Sequence, residues 1–313
     1  MKIVFLGNFS VPYCSEVHYQ KTFDKLGIEV VAVQEPKVNG LEIIKLLEDG
    51  ADMFFWVHTH GWLTSNIDKV LEYCKEHRIP SVGYHLDLWM GIERQKDLES
   101  DPYWGIDYFF CTDKLMVDHL NRRDDMPKAF YLPAGVFEDE CYLGERRKEY
   151  EHDVIFVGSK GYHHEWPYRP KLINWLQDTY GDRFAHYGGD GKGVVRGKDL
   201  NDLYASAKVV VGDTLCKDFC YPFYSSDRYW ESIGRGAFLI YPYIRGLQNY
   251  FTDKKELVYY TFNNFLQLKS LIDYYIELIM PFFVLFLPFE LRLFCLLYSI
   301  LAFQALQVPS IDL

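Results

Sequence analysis

Short apolar, β-branched runs alternate along this chain with longer segments whose apolar positions recur every three or four residues. That alternation is the pattern of parallel strands joined by crossover helices. In the first half it predicts strands over 2–7 (KIVFLG), 29–34 (EVVAVQ), 52–57 (DMFFWV), 80–85 (PSVGYH), 108–112 (YFFCT) and 129–133 (AFYLP). Helical spacing fills 15–27, 41–50 and 65–78, several of these stretches closing on Gly, as helix ends tend to.

A charged stretch, 137–153 (FEDECYLGERRKEYEHD), interrupts the pattern and reads as a linker. A second series follows, with strands over 153–159, 183–189, 208–213, 237–242 and 256–261 and helices over 168–181, 200–207 and 262–275. The fold class is therefore α/β, with a Rossmann-like domain over 1–140 and another over 150–275. Two such domains are expected to face each other across a cleft and to bind ligands beyond the carboxyl ends of their strands.

Composition narrows the partners. The 313 residues suffice for two domains with sizeable cores, and a formal net charge of −11 disfavours unspecific binding to nucleic acid or to an anionic membrane. An anionic ligand must be held by a local site. Seven cysteines, scattered and odd in number, do not form a secreted disulfide framework, and Cys216 with Cys220 is a weak metal signal by spacing alone. The opening MKIVFLGNF is too short for a signal peptide and reads at once as a strand, so a cytoplasmic location is expected.

The stretch SSDRYWESIGRGAFLI (225–240) carries the sharpest chemical signal. Ser225, Ser226 or Asp227 caps a helix there and leaves backbone N–H groups pointing outward as an anion site. Arg228 sits in the first turn, where its charge opposes the helix dipole, and it precedes Glu231 in the less favourable order for an ion pair. A diphosphate at that terminus satisfies both the free N–H groups and Arg228, and Glu231 can accept hydrogen bonds from both hydroxyls of a ribose. The plain alternative is a solvated helix face with an ordinary surface pair.

The segments DVIFVGS (153–159), RFAHYGGDG (183–191), GKDLNDLYASAKVVVGD (197–213) and 226–260, with Arg228, Glu231, Gly234, Gly236, Gly246-Leu247 and Lys255–Val258, resemble the second domain of GT-B glycosyltransferases. The nearest type is the CgeB-like group of glycosyltransferase family 1-like domains. The resemblance covers 153 to about 275; the first half matches only in its general Rossmann order. It implies a nucleotide-diphosphate-sugar as donor substrate, with Glu231 on the ribose and Arg228 on the diphosphate. Gly158, Ser159, Gly188 and Gly189 lie in strand-end turns suited to phosphate or base, with Tyr162 and Arg169 close by in sequence. Many retaining members carry an acidic residue eight positions before the ribose Glu, but Phe223 stands there; Asp213, Ser225 and Asp227 are the remaining candidates for the sugar hydroxyls. No cofactor and no protein-held metal are expected, the run His163-His164-Glu165 being only superficially metal-like.

The acceptor side is expected at the strand ends of the first half. Gly7 permits a tight turn after the first strand. His58, His60, His85 and Asp87 follow the third and fourth strands and are candidate general bases for an acceptor hydroxyl, with His85 and Asp87 preferred. A hydrogen-bonded structural role is the plain reading of each. Trp62, Trp89 and Trp104 suit sugar stacking or, more simply, the core.

From Ile276 the composition turns abruptly apolar, with only Glu277, Glu290 and Arg292 as charges up to Val308 and with Pro281 and Pro288 as helix breakers. The readings are a membrane-associated segment over 276–308, an interaction segment, or an abnormal end such as a frameshift, which the abruptness favours. The function expected from the sequence is metal-independent glycosyl transfer to an acceptor that is a glycan, a protein or a small molecule. A non-catalytic structural or sugar-binding protein of a coat or envelope is the alternative, and a nucleotide-sugar epimerase the third reading.

Overall fold

The computed structural model describes residues 1–279. The chain divides into two compact units, Met1–Pro133 and the remainder from Ala134. The apolar stretch 280–313, with the membrane, interaction and abnormal-end readings made for it, lies outside the described residues.

In the first unit six strands, β1 (Lys2–Gly7), β2 (Glu29–Gln34), β3 (Met53–Trp56), β4 (Ser81–His85), β5 (Tyr108–Cys111) and β6 (Lys128–Tyr131), form one sheet in the order β2-β1-β3-β4-β5-β6. Every neighbouring pair is parallel. All four residues of β3 and all five of β4 are buried, as befits a sheet covered on both faces. The helices α1 (Ser15–Lys25), α2 (Gly40–Glu48), α3 (Ile67–His77) and α4 (Lys114–Leu120) make four of the five crossovers, and two 3-10 turns, Glu93–Asp97 and Pro102–Gly105, lie on the way from β4 to β5. Ile43 with Leu47, and Val70 with Cys74, are pairs one helical turn apart that bury the inner faces of α2 and α3. The helix α4 is absent from the expectation above. Its signal is Asp113, whose carboxylate caps it by accepting from the backbone N–H of Leu115 at 3.0 Å and of Met116 at 3.2 Å. The chain reverses direction across the sheet between β1 and β3, which is the topological switch point of this unit.

The second unit has five strands, β7 (Val154–Val157), β8 (Phe184–Tyr187), β9 (Val209–Val211), β10 (Leu239–Pro242) and β11 (Val258–Tyr260), ordered β11-β10-β9-β7-β8 and again all parallel. Its helices are α5 (Tyr168–Tyr180), α6 (Gly197–Ser206), α7 (Asp227–Gly234) and α8 (Phe265–Ile279). The last runs past residue 275 because Leu268, Ile272 and Ile276 keep an unbroken four-residue apolar spacing and are all buried. No helix among the described residues is long and apolar enough to cross a membrane.

The charged stretch 137–153 packs on the second unit. Glu145 N donates to Asp202 Oδ1 and Arg147 N to Ser206 Oγ, both at 2.8 Å, and the Asn201 amide donates to the carbonyls of Glu140 and Tyr142. Buried Arg235 donates to Glu140 and Asn201. The approach is close enough that a Cβ on Gly144 would fall 2.2 Å from the Asn201 backbone, which makes glycine obligatory there. Two charges of the stretch have partners there as well, Glu140 on Arg235 and Arg147 on Asp199 and Asp202, while most of the others face solvent.

Candidate functional site

In the second unit the site is built where β7 and β8 end. Gly158 follows β7 with φ of +143°, a conformation open to glycine. Its N–H donates to the Tyr187 carbonyl at 2.7 Å, and its own carbonyl accepts from His186 Nε2 at 2.6 Å. Gly188 follows β8 and lies against it: a Cβ on Gly188 would sit 2.5 Å from the Gly158 carbonyl oxygen. The two turns therefore pack backbone on backbone. Asp190 ties them further, accepting from the N–H groups of Lys160 (2.9 Å) and Gly161 (3.2 Å). Partial burial opposes its charge, but these two backbone donors hold its carboxyl below the usual range.

Arg228, in the first turn of α7, joins these turns from the other side. One pocket is lined by Gly158, Ser159, Tyr187, Gly188, Gly189, Val194, Val195, Arg196 and Arg228. Arg228 Nη1 is buried and has no hydrogen-bond partner among the described residues; the Glu231 carboxylate is 3.6 Å away, an ion-pair distance but a long one. A second guanidinium, Arg196, lies on the loop before α6, and desolvation and then the charge of Arg228 push its pKa down. Two like charges on one pocket wall favour an anion between them. At the N-terminus of α7, Ser226 is the N-cap residue but leaves that terminus without a side-chain cap; its hydroxyl points at the Asp213 carbonyl, 3.4 Å away.

Asp213 and Ser225 are placed differently from expectation. The Asp213 carboxylate is buried and accepts from Arg169 Nε at 2.7 Å and from Trp166 Nε1 at 2.8 Å, so both oxygens are committed inside the unit. It supports Arg169, whose Nη1 reaches the Ser159 carbonyl at 3.4 Å and whose guanidinium lies 4.4 Å from the centre of the Tyr162 ring. Ser225 is buried and accepts from Trp230 Nε1 at 3.0 Å. Asp227 opens α7 and is half-buried. Phe223 adopts φ of +64°, and its ring lies so close to Gly246 that a Cβ there would be 2.4 Å from it. The position holding an acid in many retaining enzymes is here an aromatic side chain seated on glycine.

In the first unit the candidates gather at the switch point. Gly7 ends β1 against Glu16, and its carbonyl accepts from Glu35 N at 2.9 Å. His58 is buried after β3, with Nδ1 2.8 Å from Glu35 Oε1 and Nε2 3.7 Å from Asp101 Oδ2. Glu35 also accepts from Trp56 Nε1 and from Thr59 N, both at 3.0 Å. Burial works against charge on His58, but the Asp101 and Glu35 carboxylates outweigh it and lift the imidazole to about 9. At neutral pH it is an imidazolium with no lone pair to take a proton. His85 is the opposite case: burial, with Arg94 adding to it against Asp87, lowers it to about 3, and its Nε2 accepts from Arg94 Nη1 at 3.1 Å. That lone pair is occupied. Asp87 is half-buried and 3.6 Å from the same guanidinium. His60 is part-exposed, its Nε2 3.3 Å from Asp97 Oδ2. Trp89 and Trp104 are buried against each other at 4.9 Å, whereas Trp62 is half-buried.

Glu35, Asp101, Arg94 and Arg196 are absent from the sequence expectation. Glu35 had a signal, since it directly follows a strand in the manner used for His58 and His85. Asp101 and Arg94 lie in 3-10 turns that no periodicity marks.

Residues 145–278 match a family model described as glycosyl transferase-like. No curated protein matches the chain in sequence. Among solved structures, the chain is similar over 99% of its length to 100% of Anabaena HepE in complex with UDP and glucose, at 11% identity and a TM-score of 0.61. A sucrose-phosphate synthase from Thermosynechococcus elongatus matches with 98% coverage of each chain, 11% identity and a TM-score of 0.59. AviGT4, a glycosyltransferase involved in avilamycin A biosynthesis, matches over 98% of this chain and 96% of its own, with 13% identity and a TM-score of 0.57. The chain thus pairs two doubly wound parallel sheets in the fold of these GT-B glycosyltransferases, and its residues 145–278 carry the glycosyl transferase-like match.

Proposed function

We propose that the protein is a glycosyltransferase of CgeB-like type that moves a sugar from a nucleotide-diphosphate donor to a hydroxyl-bearing acceptor. The observation that carries this reading is Arg228: a guanidinium nitrogen buried without a hydrogen-bond partner among the described residues, in the same pocket as the strand-end glycines Gly158, Gly188 and Gly189. A diphosphate supplies the missing acceptors, and the uncapped start of α7 adds the favourable end of a helix dipole. Glu231, one turn on, takes the ribose hydroxyls. The glycosyl–oxygen bond breaks with its electron pair on the diphosphate, and Arg228 with the α7 terminus stabilises that charge, so that transfer needs no metal in this reading. Uridine diphosphate sugars are the first donors to test, because several solved neighbours hold UDP or UDP-glucose.

The strand-end cluster of the first unit takes the acceptor proton. A cytoplasmic setting belongs to the same proposal, supported by six free cysteines among the described residues. The test is release of UDP from UDP-glucose by the full chain. Turnover that falls at least a hundredfold in Glu231→Ala supports the reading; unchanged turnover in that variant, or no release by the parent chain, contradicts it.

A further inference from the structure

Three hydroxyl-bearing side chains of the second unit meet beneath the start of α7: Thr214, Ser226 and Tyr241. Thr214 and Tyr241 are fully buried, and neither Thr214 Oγ1 nor the Tyr241 phenol oxygen has a hydrogen-bond partner among the described residues. The Tyr241 ring, on β10, is held between Gly212, where a Cβ would fall 2.8 Å from its Cδ2, and Tyr229 of α7, whose ring centre is 4.8 Å away. Its phenol therefore reaches the uncapped terminus. Burial raises the pKa of that phenol, and the hydroxyls of Ser226 and Thr214 act against the rise, which they do only from close by. Ser226 is half-buried, and its hydroxyl makes a long contact of 3.4 Å to the Asp213 carbonyl. We propose that Ser226 donates a hydrogen bond to the terminal phosphate of the nucleotide diphosphate proposed above, on which reading this inference rests, and that Tyr241 is the positioning residue behind it.

A hydroxyl both donates and accepts, so a row of them is satisfied only when its last member finds an acceptor. With a phosphate oxygen in place, Ser226 turns from the Asp213 carbonyl and donates to it. The Tyr241 O–H then donates to Ser226 Oγ, and the Thr214 O–H to the phenol oxygen. All three protons have acceptors and point the same way. Aligned hydroxyl dipoles strengthen the last donor, and the uncapped N–H groups of α7 add to its pull. Arg228, two residues on, lines the pocket with Gly158 and Gly188. Ser226 is singled out at this terminus because Ser225 is buried and accepts from Trp230 Nε1 at 3.0 Å, and Asp227 carries a carboxylate, which repels phosphate. The proposal adds no bond change to the transfer: the Ser226 proton stays on its own oxygen. What it adds is a donor aimed at the phosphate on which the electron pair of the broken glycosyl–oxygen bond collects, and such a donor acts more strongly in the transition state than on the bound substrate.

Titration calorimetry of the full chain with UDP, with UDP-glucose and with UMP, which lacks the terminal phosphate, tests the contact. In Ser226→Ala, UDP affinity is expected to fall about tenfold, UDP-glucose affinity by less than about threefold, since its terminal phosphate carries less charge, and UMP affinity by less than about twofold. UDP release from UDP-glucose should lose about tenfold or more in kcat with KM nearly kept. Tyr241→Phe should weaken UDP binding and lower kcat about threefold or more in the parent, and change neither when added to Ser226→Ala. Its urea midpoint should equal or exceed that of the parent, because the phenol oxygen has no partner to lose, so the loss in binding is not a loss of fold. Equal UDP affinity in Ser226→Ala and the parent overturns the role of Ser226. The same loss from Tyr241→Phe in both backgrounds overturns the relay. UDP binding that is weakened in Arg228→Ala yet intact in Ser226→Ala keeps the donor reading and removes this inference alone, whereas a parent chain that binds no UDP contradicts that reading and this inference with it.

Discussion

Arg169 Nε donates to Asp213 Oδ1 at 2.7 Å with both side chains buried, and the pair links the first turn of α5 to the end of β9. A buried ion pair costs most when one partner is removed, because the other charge remains without solvent. Asp213→Ala is expected to destabilise the second unit by about 3–5 kcal/mol. The double change Arg169→Met with Asp213→Leu should recover most of that loss. Urea unfolding checks both; a single variant costing under about 1 kcal/mol contradicts the account.

The paired glycine turns make a second prediction. Gly188→Ala places a Cβ 2.5 Å from the Gly158 carbonyl oxygen, a backbone atom that cannot swing away. The turns must separate, at a cost of about 1–3 kcal/mol. The loss of UDP affinity should exceed about tenfold, since a one-kilocalorie misplacement of several donors is already most of that factor. Gly189→Ala meets nothing within 4 Å and is the control with native stability.

Stability should also depend on pH through His58. Its folded pKa, about 9, lies above the ordinary 6.5, so its contribution is complete below about 6.5 and is lost as pH rises to 9. The window spans about 2.5 pH units, on the order of 3 kcal/mol. His85 acts with the opposite sign: its folded pKa, about 3, lies below 6.5, so the first unit loses stability as pH falls from 6.5 toward 3. Urea midpoints measured from pH 4 to 10 are expected to peak near 6.5. Glu35→Gln, which removes one partner of His58, should bring the alkaline decline to lower pH.

The strands of both sheets were legible because a parallel sheet covered on both faces writes itself as continuous apolar runs, of which Val209–Val211 and Val258–Tyr260 are the shortest. Arg228 stands out in the sequence for a different reason: a cation in the first turn of a helix contradicts the dipole and asks for an anion, and in the structure its Nη1 is buried without a hydrogen bond among the described residues. An acid at a strand end such as Asp213 looks the same in sequence whether it faces a ligand or accepts from Arg169 and Trp166, which lie 44 and 47 positions away. In the charged stretch 137–153, Arg147 and Glu140 meet Asp202 and Arg235 across more than 50 residues, pairings that no local pattern encodes. The approach of Asp101 to His58 depends on the cap of a 3-10 turn returning to the end of β3, which no local pattern encodes.

The central claim is that Arg228 and Glu231 hold a nucleotide diphosphate. Titration calorimetry of UDP and UDP-glucose into the full chain, into Arg228→Ala and into Glu231→Ala tests it most directly. The account predicts saturable binding with one site per chain, weakened in Arg228→Ala by about tenfold to a hundredfold, as expected for loss of charge-assisted hydrogen bonds to phosphate. It predicts a smaller loss in Glu231→Ala for UDP, and none for inorganic diphosphate, which lacks the ribose. Equal affinity for UDP in all three proteins, each folded, would contradict it.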